Sequence, residues 1–262
     1  MMDEYLNRGI KEIITQFPRI GEILDEFNIG CGPCSVGTCL LKDIVEIHHL
    51  IPQEEEQLMA RIAGVIFPEE GSEVPELRTP IQTSKEISYS LPMKKLVDEH
   101  KLILRWVSLI PKVIESLETE IDSELILEGT EFMQFYADKF HHAKEEDVLF
   151  KYFDEGIEII KVMHEDHTTV RALRKAIREA LEKKDKDAIA RGLDSYRELL
   201  IEHIRKEDEI LYPWLDGQMS NVQTNELLSK FTEIDEESKN TSTKYEQFIS
   251  RTERRFGLAD DD

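Results

Sequence analysis

Four long stretches of this chain repeat apolar residues at helical spacing, and the links between them are too short for anything but a reversal of direction. The stretches run roughly over 91–118, 122–154, 158–184 and 186–216. Each is about 27 to 33 residues long, which is roughly 40 to 50 Å of α-helix. The links "ETEIDS", "DEGIE" and "KKDKD" leave no room for a crossover. Long helices joined this way lie antiparallel to their neighbours. The predicted fold is therefore all-α, an up-down-up-down four-helix bundle over 91–218.

The flanks read differently. Ile10, Ile13, Ile14, Phe17, Ile20, Ile23, Leu24 and Phe27 follow the i, i+3, i+4 rule, and Pro18 suits the first turn of a second helix. Glycines in "NIGCGPCSVG" break that pattern, and "PQEEEQ" opens another helix that ends near Phe67. Residues 1–68 are thus expected to form a small helical module bearing a cysteine cluster. The Pro-, Ser-, Thr- and Glu-rich stretch 69–90 reads as a linker. Within 219–262 a last amphipathic helix, carrying Leu227, Leu228, Phe231 and Ile234, is available to pack on the bundle or on a second copy of the chain in a homodimer.

An internal echo points to chemistry. "HHAKEEDVLF" (141–150) aligns with "HIRKEDEILY" (203–212), with identities at His141/His203, Lys144/Lys206, Glu145/Glu207 and Leu149/Leu211. Spacing of i, i+4 sets each His and Glu on one helix face. A second echo centres "VDEHKLIL" on His100 and "HEDHTTV" on His167, each histidine preceded by two acids. Each bundle helix therefore carries one aligned histidine. Counted from the helix ends, their heights agree to roughly 6 Å, about one helical turn. On this register His142 lies about 100° round from the ligand face, and Lys144 and Asp147 fall on the solvent side. Tyr136, Tyr152, Tyr212, Trp106 and Trp214 read as core at helical spacing, and "RALRKAIR" as a solvated stripe.

Four imidazoles and two carboxylates converging inside a bundle suit two divalent ions bridged by the carboxylates. Mixed nitrogen and oxygen ligation points to iron first and manganese second, rather than structural zinc. "HHAKEEDVLF", "HEDH" and "HIRKEDEILY" resemble the hemerythrin-like (HHE cation-binding) domain over roughly 91–216. The resemblance implies a non-haem di-iron centre with His100, His141, His167 and His203 as terminal ligands and Glu145 and Glu207 as bridges. Asp208 is an alternative to Glu207, because oxygen carriers of this family use H-x-x-x-x-D on the last helix. Those carriers also place a fifth histidine where this chain has Met163, with His164 off register. The resemblance therefore leans towards the iron–sulfur-centre repair proteins, whose site has four histidines and two glutamates.

The chain's three cysteines, Cys31, Cys34 and Cys39, are spaced C-x2-C-x4-C in the glycine-rich loop. They are expected to be reduced thiols, either a redox dithiol or ligands of an iron–sulfur cluster completed from elsewhere, His48 and His49 among the choices. A formal charge of −22 argues against nucleic-acid or anionic-membrane partners. No apolar run is long enough to cross a membrane and "MMDEYLNRGI" has no signal-peptide pattern, so the expected location is the cytoplasm. The expected ligand is O2 or NO, with an external electron donor. Two functions are open: stress-linked iron–sulfur repair or NO/O2 chemistry, and sensing or storage of O2, NO or iron without turnover.

Overall fold

The computed structural model describes residues 2–27, 29, 40–42, 44, 50, 52–68 and 88–258. They are helical nearly throughout and divide into two compact units, Met1–Ser88 and Tyr89–Asp262. Among the described residues no helix is long and apolar enough to cross a membrane.

In the first unit, α1 (Met2–Leu6), α2 (Ile10–Gln16), α3 (Pro18–Glu26) and α4 (Pro52–Ile66) surround one apolar cluster. Pro18 opens α3, where its missing N–H costs nothing. Ile10, Ile13, Ile20, Ile23, Leu24 and Phe27 are buried, while Ile14 and Phe17 pack at the edge of the cluster. Arg61 of α4 grips the Glu26 carboxylate with two bonds of 2.7 and 2.9 Å, and this holds Glu26 below the usual carboxylate range. The three cysteines, His48 and His49 lie outside the described residues.

The second unit begins with α5 (Leu91–Ser116). Next comes α6 (Ser123–Phe132), capped by Asp122, whose side chain accepts from the Leu125 N–H at 2.9 Å. This helix continues as wider π-helical turns over Met133–His142 and Glu145–Leu149. Then follow α7 (Glu158–Glu182) and α8 (Lys186–Lys206), the latter capped by Asp185. A third π-helical turn, Glu207–Leu211, leads from α8 into α9 (Tyr212–Gln218). Around the unit, α5 packs on α8, α8 on α7, α7 on α6 and its π continuation, and that continuation on α5. One core runs between them, centred on Trp106, Phe132, Tyr136, Ile177, Leu193 and Tyr196. Two glycines permit the close approaches. A Cβ on Gly129 would stand 2.4 Å from the Trp106 ring, and one on Gly192 would stand 2.7 Å from Ile177.

The last helix, α10 (Asn221–Arg255), opens with a capping box between Ser220 and Gln223. It lies on α5 and the first π segment, burying Leu227, Phe231, Tyr245, Phe248 and Ile249. Arg105 of α5 clamps Glu253 of α10 through bonds of 2.7 and 2.8 Å.

Candidate metal centre

Every ligand candidate from the second unit is at or near zero exposure: His100, His141, Glu145, His167, His203 and Glu207. His100 comes from α5, His141 and Glu145 from the π continuation of α6, His167 from α7, and His203 and Glu207 from the end of α8. Glu207 lies between groups: its Oε2 is 3.2 Å from His100 Nε2, and its Oε1 is 3.2 Å from His203 Nε2. The Glu145 Oε2 is 3.4 Å from His167 Nε2 and 3.8 Å from His141 Nε2. Asp208, the alternative to Glu207, is turned outward and bonds His100 Nδ1 instead.

Sequence register misplaces one imidazole. His142 is buried, and its ring stacks on His167 at 3.9 Å and 15°. It forms a group with His167 and His203, while His100, His141 and Glu207 form another; within each, the candidate ligand atoms lie within 4.8 Å of one another. The π-helical stretch contributes to this. An i→i+5 turn spends more residues per revolution than an α turn, so adjacent residues are separated by less than the usual 100° or so. Neighbours His141 and His142 both face inward, His141 towards His100 of α5 and His142 towards His167 of α7. A fifth buried histidine in this cluster thus comes from the π continuation of α6, and Met163 of α7 is a buried apolar residue.

The outer nitrogens show a ring of clamps. Each helix presents a carboxylate to the histidine of the next helix in the chain. Glu99 of α5 accepts from His141 Nδ1 at 3.0 Å, and Glu146 accepts from His167 Nδ1 at 2.6 Å. Asp166 of α7 accepts from His203 Nδ1 at 3.3 Å, and Asp208 closes the ring on His100 Nδ1 at 2.8 Å. An Nδ1–H held by a carboxylate fixes the tautomer and aims Nε2 inward for a metal. Lys144, expected on the solvent side, is fully buried, because its ammonium pairs with Glu99 and with Asp235 of α10. Lys206 makes the equivalent bond to Asp166 at 2.7 Å.

Electrostatics separates the members. Burial, helped by neighbouring imidazoles, holds His141, His142 and His167 well below the usual imidazole range. Burial also pushes His100 and His203 down, but carboxylates outweigh it. Asp208 and Glu207 carry His100 up to about 9, and Glu207 and Asp166 raise His203. Burial and the nearby Glu207 push Glu145 well up. Glu207 is held well down, because His203 and His100 outweigh its burial. Carboxylates thus raise two imidazoles and those imidazoles lower one carboxylate, a charge pattern that cations can take over.

The donor set fits metal ions. His100 Nε2, His141 Nε2, His142 Nδ1, Glu145 Oε2 and both Glu207 oxygens are buried without a hydrogen-bond partner. Buried polar atoms left this way are costly unless something completes them. The closest contacts of 3.1 to 3.2 Å between inward atoms match the roughly 3 Å between adjacent ligand atoms of an octahedral ion bonded at about 2.1 Å. Mixed nitrogen and carboxylate donors without sulfur suit iron or manganese.

Residues 91–215 match the family model of the hemerythrin HHE cation binding domain. The match ends just before α10. Comparison with curated proteins and with solved structures returned no match.

Proposed function

We propose that residues 91–218 form an up-down-up-down bundle of the hemerythrin type holding two iron ions, and that the centre takes up O2 or NO in a response to oxidative or nitrosative stress. What supports this reading above all is the convergence of five buried imidazoles and two buried carboxylates whose inward atoms include six without partners. His142, His167 and His203 would hold one ion, and His100 and His141 the other, with Glu145 and Glu207 between them. Iron bound there supplies a redox-active Lewis acid with positions left for a diatomic ligand. The two-histidine side, with fewer protein donors, would leave more positions free than the three-histidine side.

The chain's own groups do the rest. The clamp carboxylates hold four imidazoles in register. The core excludes bulk water from the inward face, and Tyr212 keeps a hydroxyl proton on Glu145 at 2.5 Å. The activity we assign is reduction of NO or repair of damaged iron–sulfur clusters in the cytoplasm, with Cys31, Cys34 and Cys39 as a thiol or cluster relay from an external electron donor. Metal analysis and Mössbauer spectra of anaerobically purified protein are expected to give about two coupled irons per chain. Under reducing conditions the protein should consume NO. Less than about one iron per chain would sink the proposal.

His142 favours a second reading. A fifth imidazole answers the histidine that Met163 fails to supply, which suits reversible O2 binding or sensing. Rapid reversible O2 uptake without NO consumption would select it.

A further inference from the structure

Resting on the two-ion reading above, we infer that Tyr212 is a positioning residue that makes the two carboxylates of the centre unequal. It restricts Glu145 to offering one oxygen inward and leaves Glu207 free to offer both.

Tyr212 opens α9, directly after the π-helical turn that carries Glu207, and it is fully buried. Its ring stacks on His100, centroids 5.6 Å apart and planes within 11°, so the phenol is fixed against one ligand candidate. Its hydroxyl donates to Glu145 Oε1 at 2.5 Å, across from the other π-helical segment. The remaining Glu145 oxygen, Oε2, has no partner, whereas neither oxygen of Glu207 has one.

The echo explains why the two differ. Tyr212 occupies the position that Phe150 occupies in the first segment. Phe150 is equally buried and lies edge-on to His164 at 5.5 Å, but it carries no hydroxyl. One segment thus supplies a phenol that reaches back to the glutamate of the other, and the return bond has no donor. An oxygen that already accepts a short O–H bond has one of its two lone pairs engaged, which leaves the free oxygen as the readier metal ligand. Glu145 would then offer Oε2 alone, and Glu207, facing His100 through one oxygen and His203 through the other, would be free to offer both.

The test uses Co(II) as probe on the full chain, comparing wild type with Tyr212→Phe. Both proteins are expected to bind Co(II) with affinities within about tenfold of each other. In the variant the Glu145 carboxylate bands, read by infrared difference spectroscopy against Glu145→Gln, should move from a one-oxygen to a two-oxygen pattern. Visible Co(II) absorption should weaken as coordination number rises. Identical bands and absorption in the two loaded proteins would reduce Tyr212 to packing and overturn the inference. A second measurement needs no variant. With ring-labelled tyrosine, the C–O band of a donating phenol should persist in wild type when Co(II) is added, and its loss would overturn the inference too. Failure of wild type to bind Co(II) at all would instead remove the two-ion reading, and this inference with it.

Discussion

The segments 141–150 and 203–212 do the same work with different endings. In both, a histidine is followed by a buried lysine, an inward glutamate and an outward acid that clamps a histidine on another helix. Three contrasts between them bear on the centre. His142 adds an imidazole where the second segment has Ile204, Tyr212 adds a hydroxyl where the first has Phe150, and Lys144 reaches α10 through Asp235. The common residues build a centre of near-twofold plan, and the three exceptions make its halves chemically unlike. Pairing of identical motifs is therefore a poor guide to which half binds what.

The sharpest break should come from what the halves share. Glu207→Ala removes oxygens that face both groups, and both ions should be lost, as measured by metal content after anaerobic purification; wild-type content would refute the shared role. His142→Ile makes the first segment read like the second at that place. Co(II) titration should then show one binding step where wild type shows two; two unchanged steps would return His142 to mere packing. Glu99→Gln and Asp166→Asn loosen one clamp in each half. Each should weaken metal binding about 10- to 100-fold through its own histidine, His141 or His203. Equal effects on both ions would argue against separate halves. A change of another kind is expected in the fold itself. Lys144→Met leaves Glu99 and Asp235 without their shared cation and should cost about 3 kcal/mol of metal-free stability in urea melts. Adding Asp235→Leu should recover part of that loss, and no recovery would mean that Lys144 acts through packing.

Helical periodicity was enough to mark the long elements, because an amphipathic helix must repeat its apolar stripe. The i, i+4 spacing likewise exposed His141 with Glu145 and His203 with Glu207, and helix counting brought His100 and His167 to the same height. His142 escaped because the 100° rule assumes α-helix throughout, and nothing in the composition of "MQFYADKFHH" announces a π-helical stretch. Lys144 escaped for another reason. A lysine amid acids reads as solvated until its partners are known, and Asp235 lies 91 residues further on. The acids before His100 and His167 were visible as a repeat. Their role as clamps was not, since each serves the histidine of the following helix rather than its own neighbour.

That displaced service bears on how the protein is made. Domains fold as units while the chain is synthesised from its N-terminus. His100 is among the earliest parts of the centre to leave the ribosome, yet Asp208, which clamps it, is 108 residues downstream. Glu207, which faces both groups, arrives beside that clamp. A nascent chain ending at α7 would thus hold four of the five histidines but neither Glu207 nor the clamp on His100. Capture of the proposed ions would then wait for α8 and the π-helical turn that follows it.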